Sequence, residues 1–195
     1  MAEALPEVYL ARHGETAWSA SGQHTSRTDV PLTERGERRA RALGERLNRY
    51  EIAAVFSSPS QRALRTGILA GFGDRAQIDT DLSEWDYGQY EGRRTAEILR
   101  KRPGWQLFRD GCPGGETAEE VGLRADRAIQ RICGVKGNVL IFSSAHILRV
   151  LAARWLGLEA AGGRYLLLGT ASLSVLGYEH NLAEPVIRLW NEIHD

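Results

Sequence analysis

Cysteine is scarce in this chain of 195 residues: Cys112 and Cys133 stand in no metal-ligand spacing and are too few for the disulfide framework of a small secreted scaffold. A reduced, cytoplasmic setting is the expectation. No apolar run approaches the roughly 20 residues of a transmembrane helix, and the acidic segment 1–7 lacks the basic and apolar stretches of a signal peptide. No membrane partner is expected. Net charge is missing too, since 25 Lys plus Arg balance 25 Asp plus Glu, so no general field draws the protein onto nucleic acid or anionic lipid. Any anion site must be local. Internal repeats, low-complexity tracts and Pro/Ser-rich linkers are absent as well. The length suits a single domain over residues 1–195, burying about 70% of its unfolded surface without help from metal or disulfide.

What is present is an alternation of strand and helix signals. Val8-Tyr9-Leu10-Ala11 reads as a first strand, followed by a polar loop over residues 13–32. Thr33 is a candidate N-cap with Glu34 in the first turn, and Ala40, Leu43 and Leu47 recur at helical spacing to about Tyr50. Residues 53–56 predict a second strand, and Ser58 and Pro59 the N-cap and first position of a helix ending near Gly71. A short strand is expected at 77–80. From 82 to 115 Trp, Tyr, Gly and charge crowd without period, which predicts a loop excursion over a site, with a short helix near 95–101. Thr117-Ala118-Glu119-Glu120 forms a capping box ahead of a stripe of Val121, Ala125, Ala128, Ile129 and Ile132. A strand at 139–142, a helix at 146–156 closed by Gly157, and strands at 172–177 and 186–190 complete the pattern. Such alternation predicts a three-layer α/β/α sandwich with a mostly parallel central sheet, whose ligands bind beyond the carboxyl ends of the strands.

Two histidines follow strands at that edge. Arg12-His13-Gly14-Glu15-Thr16 comes directly behind the first strand, and Ser143-Ser144-Ala145-His146 behind the strand at 139–142. A neutral imidazole can attack phosphorus, and an ordinary histidine pKa near 6.5 leaves a neutral fraction at physiological pH. A neighbouring guanidinium can hold two phosphoryl oxygens in a fork. Arg62, on the opening turn of the second helix, adds a further cation where a helix N-terminus already favours anions. Glu84, between Ser83 and Trp85, is the general-acid candidate; Trp85 and Tyr87 are expected to raise its pKa, and Asp86 is not separated from it by spacing. Singly, each of these is an ordinary solvated or core polar group. Their ordered combination carries the inference.

Together the residues resemble the histidine phosphatase superfamily, in its phosphoglycerate mutase-like branch, over nearly the whole chain. Arg12-His13-Gly14-Glu15-Thr16 with Trp18 looks like the signature loop, and Leu32-Thr33 with Gly36 like the start of the first helix. Ser57-Ser58-Pro59 with Arg62, Ala63 and Thr66 resembles the second signature, and Glu84 with Gly88, Glu91 and Gly92 the acid-bearing segment. His146 is taken as the second histidine. The resemblance implies a phosphohistidine on His13, a clamp of Arg12, Arg62 and His146, proton transfer by Glu84, and neither metal nor organic cofactor. It also implies substrate contacts from Ser19 and Thr25. Ser19 stands where the family usually has asparagine, and Ile147, with Ala145 before His146, stands where a glycine is usual. The segments 84–92 and 111–117 look most like members that hydrolyse sugar phosphates, including a sedoheptulose bisphosphatase type, and like certain acid phosphatases.

The expected activity is hydrolysis of a small phosphate ester. The alternatives are a mutase, which the short interval between Glu84 and His146 disfavours, and a non-catalytic phosphate-binding module, which retention of all five positions disfavours. Arg93, Arg94, Arg100, Lys101 and Arg102 form either a second cationic pocket for a bisphosphate or, as preferred, a solvated helix face. Val175 and Leu189 are candidates for an edge that pairs with a second copy.

Overall fold

Residues 5–193 are described by the computed structural model, so part of the acidic segment 1–7 lies outside it. Strands β1 (Val8–Arg12), β2 (Ala54–Ser57), β3 (Ala76–Ile78), β4 (Val139–Ser143), β5 (Leu173–Tyr178) and β6 (Pro185–Glu192) make one sheet in the order β3-β2-β4-β1-β5-β6. The first four run parallel; β5 pairs antiparallel with β1, and β6 with β5. The mostly parallel α/β architecture is as the sequence predicts.

Alternation along the central strands supplies both cores. Val8 and Leu10 of β1 and Val139 and Ile141 of β4 pack with Val121, Ala125 and Ala128 of helix α6 (Ala118–Cys133) and Leu148 and Leu151 of α7 (Ala145–Trp155). Tyr9, Ala11, Leu140 and Phe142 face the other way, against Leu43 and Leu47 of α2 (Glu34–Leu47) and Ala63 of α3 (Gln61–Leu69). All five residues of β4 are buried, as a strand covered by helices on both faces requires.

Local chemistry fixes where these helices begin. Thr33 caps α2, its Oγ1 accepting from Gly36 N at 3.0 Å. Thr117 and Glu120 form the expected capping box at α6, with bonds of 3.2 and 2.8 Å. At α3 the expectation fails: the N-cap is Ser60, and Ser58 instead accepts from Ser60 N through its Oγ while its own N–H donates to Phe142 O. Ser58 is thus still paired to β4, and the helix cannot start there. The polar loop at 13–32 hides a five-residue helix, α1 (Ala17–Ser21), held by a Thr16–Ser19 capping box. It is too short for periodicity to reveal. Within the excursion, α4 (Thr95–Lys101) occurs as expected and a single turn, α5 (Leu107–Asp110), was not anticipated. Val175 pairs with Leu189 inside the sheet; β5 is flanked on both sides, so of the two only Leu189 lies on an edge strand.

Candidate active site

β1 and β4 end side by side, with Arg12 in register with Ser143. Beyond them the backbone of His13 is pinned twice, its N–H donating to Ser143 O at 2.9 Å and its carbonyl accepting from Ala171 N at 3.1 Å. Gly14 then donates to Thr66 Oγ1 at 3.0 Å, which ties the loop to α3. A Cβ on Gly14 would meet Gly36 O at 2.5 Å, and one on Gly36 would meet Glu15 O at 2.2 Å, so the loop seats on α2 because both residues lack a side chain. The His13 ring is buried, with Nδ1 2.7 Å from Gly14 O. A carbonyl only accepts, so Nδ1 carries the proton and the lone pair is on Nε2. Burial, then the nearby Arg12 and Arg62 cations, push its pKa down to about 3. The imidazole is neutral and its Nε2 nucleophilic.

Both guanidiniums are held by carbonyls. Arg12 Nη1 donates to Leu168 O at 2.5 Å. Arg62, 1% exposed, donates through Nη1 to Thr28 O at 3.2 Å and through Nη2 to Thr25 O at 3.2 Å and Ser26 O at 3.1 Å. Among the described residues neither has a partner at Nε, and both Nε atoms are buried. Two cations that, among the described residues, have no carboxylate partner at hydrogen-bond distance suit an anion.

Glu84 departs from its sequence expectation. Its Oε1 accepts from Trp85 N and Ile147 N, both at 2.9 Å, and its Oε2 from His146 N at 3.1 Å, with His146 Nδ1 3.7 Å away. Burial raises the carboxyl pKa, as the apolar neighbours suggested, but His146 and the backbone N–H groups outweigh it and hold Glu84 below the usual carboxylate range. The carboxylate caps α7, where the helix field stabilises its charge. Burial lowers the His146 pKa, with Glu84 acting the other way, and its Nδ1 lies 2.6 Å from the Tyr87 hydroxyl.

Arg12, His13, Ser19, Thr25, Glu84 and His146 line one cavity of about 250 Å³. Arg62 does not; it lines an adjoining cavity of about 290 Å³, with Glu84 belonging to both. The hydroxyls of Ser19 and Thr25 are already bonded locally, to the Thr16 backbone and to Gln23 O. Larger cavities elsewhere, of about 480 Å³ beside α6 and about 690 Å³ at the start of β1, contain none of these residues, so chemistry rather than size marks the site. Arg93, Arg94, Arg100, Lys101 and Arg102 are all exposed, as the solvated-face reading had it. Glu179, His180 and Glu184 are close enough to share a cation, but they are exposed on the β5–β6 turn, at the sheet end opposite His13.

Sequence reasoning missed His24. Its ring lies 4.7 Å from Tyr87 and 6.1 Å from His146, and its Nε2 is 3.2 Å from Thr95 Oγ1. Burial, then His146, push its pKa down to about 4. Its position next to Thr25 was the available signal. Arg149, one turn after His146 on α7, was also passed over; its guanidinium stacks 4.6 Å from the Phe108 ring and its Nε donates to Gly163 O.

The sequence profile of the histidine phosphatase superfamily (branch 1) matches residues 8–193. An acid phosphatase of Mycobacterium tuberculosis is 38% identical over 184 residues, covering 92% of this chain and 90% of that protein. The sedoheptulose 1,7-bisphosphatase of Saccharomyces cerevisiae is 40% identical over 190 residues, covering 81% of this chain and 70% of that protein. Among solved structures, the product of an open reading frame of Mycobacterium tuberculosis superposes with a TM-score of 0.92 at 36% identity, over 96% of this chain and 98% of that one.

Proposed function

This chain belongs to the histidine phosphatase superfamily, branch 1, and on that premise we propose that it is a metal-independent phosphomonoesterase of small phosphorylated metabolites, sugar phosphates or sugar bisphosphates, acting through a phosphohistidine on His13. The proposal treats residues 1–195 as one domain and, from the two unpaired cysteines, sets the protein in the cytoplasm. The observation that carries it is a buried, neutral His13 whose Nε2 has no hydrogen-bond partner among the described residues, beside the guanidiniums of Arg12 and Arg62.

The chemistry proceeds in two halves. His13 Nε2 attacks phosphorus; the N–P bond forms as the ester P–O bond breaks, while Arg12 and Arg62 stabilise charge on the nonbridging oxygens and His146 holds the group from the α7 side. Glu84 is ionised at rest, so the proton it passes to the departing alkoxide arrives with the substrate, on a phosphate monoanion whose second pKa is about 6. In the second half Glu84 takes a proton from water as the water oxygen attacks phosphorus. The N–P bond then breaks, Glu84 gives its proton up to the departing orthophosphate, and His13 and the Glu84 carboxylate are regenerated. Cationic side chains and a helix N-terminus serve where other phosphatases use a metal ion.

Trapping tests the reading. Incubation with a radiolabelled sugar phosphate, followed by rapid quenching, should leave acid-labile, base-stable label on the protein, and His13→Ala should carry none. Label retained by His13→Ala would remove the assigned nucleophile.

A further inference from the structure

The backbone over residues 25–28 lies between two side chains of opposite charge. On one side it holds Arg62: Thr25 O and Ser26 O accept from Nη2 at 3.2 and 3.1 Å, and Thr28 O accepts from Nη1 at 3.2 Å. On the other it is held by Glu91, half-buried in the excursion, whose carboxylate accepts from Ser26 N at 2.9 Å through Oε1 and 3.1 Å through Oε2, and from Thr28 N at 3.1 Å. Thr25 O and Ser26 N belong to one peptide unit, and in a trans peptide these two groups point in opposite directions. Glu91 and Arg62 are thus the ends of a single line of carboxylate, peptide dipole and guanidinium.

The arrangement reconciles two demands on Arg62. A carboxylate bonded directly to the guanidinium would hold it firmly but compete with an incoming anion, whereas carbonyls leave it available but are only as well placed as the loop that carries them. Glu91 meets both demands by acting one peptide away. The neighbouring ties do not depend on its carboxylate: His24 N donates to Arg93 O at 3.0 Å, Gly92 N to His24 O at 2.8 Å, and Gln23 Nε2 to Gly92 O at 2.8 Å. Removing the Glu91 side chain therefore leaves residues 23–24 attached to the excursion and loosens the stretch that grips Arg62.

We propose that Glu91 is a positioning residue for phosphoryl binding: its carboxylate orients the carbonyls of Thr25, Ser26 and Thr28, and these aim the Arg62 guanidinium at the group held on His13. The proposal rests on the phosphatase reading above, in which Arg62 contacts that group. Glu91 lines neither the His13 cavity nor the adjoining one, so its effect passes through Arg62.

A double-mutant cycle tests it, with Glu91→Ala, Arg62→Ala and the two together, read as kcat/KM for an aryl phosphate and as the Kd of inorganic phosphate. Glu91→Ala should lower kcat/KM by roughly 10- to 100-fold, the worth of a charged hydrogen bond, and weaken phosphate binding in the same direction. In the Arg62→Ala background the same change should alter neither quantity by more than about twofold, because the group it positions is gone. Glu91→Gln, whose amide oxygen still accepts from Ser26 N and Thr28 N, should rescue most of the loss and fall only about three- to tenfold below the parent. A loss in the Arg62→Ala background as large as in the parent would make Glu91 a support of the fold alone, and a Glu91→Ala protein within about twofold of the parent would leave it no role; either result overturns the proposal. If thermal unfolding shows Glu91→Ala to be unfolded, Glu91→Gln takes its place in the cycle under the same two criteria. Failure of the broader reading looks different: a parent that binds phosphate but turns over no ester fails as a phosphatase while the Kd cycle still decides the role of Glu91, and a parent that does neither removes both.

Discussion

Raising the pH through about 6 should cost this enzyme about tenfold in kcat/KM per unit, with the limb set by the substrate rather than by any side chain. His13, pushed down to about 3 by burial and the two guanidiniums, is neutral across the range from about pH 4 to 8. Glu84, held below the carboxylate range by His146 and the α7 N–H groups, is ionised across it. His24, at about 4, and His146, below its ordinary value, likewise have no proton to lose above neutrality. The proton for the leaving group therefore enters on the phosphate monoanion, whose share falls to about 1% two units above a second pKa of about 6. That corresponds to about 2.7 kcal/mol of lost transition-state access at pH 8. The assay is kcat/KM against pH for two esters whose second phosphate pKa values differ by about one unit; their basic limbs should be displaced by about one unit. A limb at one common pH for both esters would place the proton on the protein and refute the protonation states derived for Glu84 and His13.

Three further outcomes are expected. Because folding depresses the His13 pKa from 6.5 to about 3, its contribution to stability is fully present above 6.5 and is lost as pH falls towards 3, about 2 kcal/mol of it by pH 5. Urea unfolding of His13→Gln should accordingly lose less stability between pH 7 and 5 than the parent, and equal slopes would contradict the shift. Glu84→Gln should reduce kcat/KM by about 100-fold or more on an alkyl phosphate and far less on an activated aryl phosphate, since an alkoxide needs the proton; equal losses would end the general-acid assignment. Gly36→Ala would set a Cβ 2.2 Å from Glu15 O and should cost about 1–3 kcal/mol in chemical denaturation, together with activity, whereas an unmoved midpoint would show the loop to be free of α2.

How far the sequence carried depended on whether a feature repeats. β1, β4, α2 and α6 were legible because their apolar residues recur over several turns or run unbroken through a buried strand. α1 was not, having five residues and a cap, and α3 was started two residues early because Ser58-Pro59 imitates a helix opening while Ser58 is still bonded to β4. Arg12 and His13 were legible through the strand that delivers them. The electrostatics of Glu84 were not: its neighbours in sequence, Trp85 and Tyr87, argue for a raised pKa, while the N–H groups that reverse the sign come from residues 146 and 147. His24 stayed hidden for a related reason. It acquires its place beside the cavity from contacts that only the folded chain creates.

The double duty of Glu84 constrains how such a protein can change over generations. Its carboxylate closes the first turn of the helix that carries His146, so any lineage that discarded it would loosen that helix as well as silence proton transfer. The His13 ring, by contrast, reaches hydrogen-bond distance, among the described residues, only of the carbonyl of the next residue. A descendant drifting from hydrolysis towards mere retention of phosphate should therefore give up its histidine first and keep its glutamate longest.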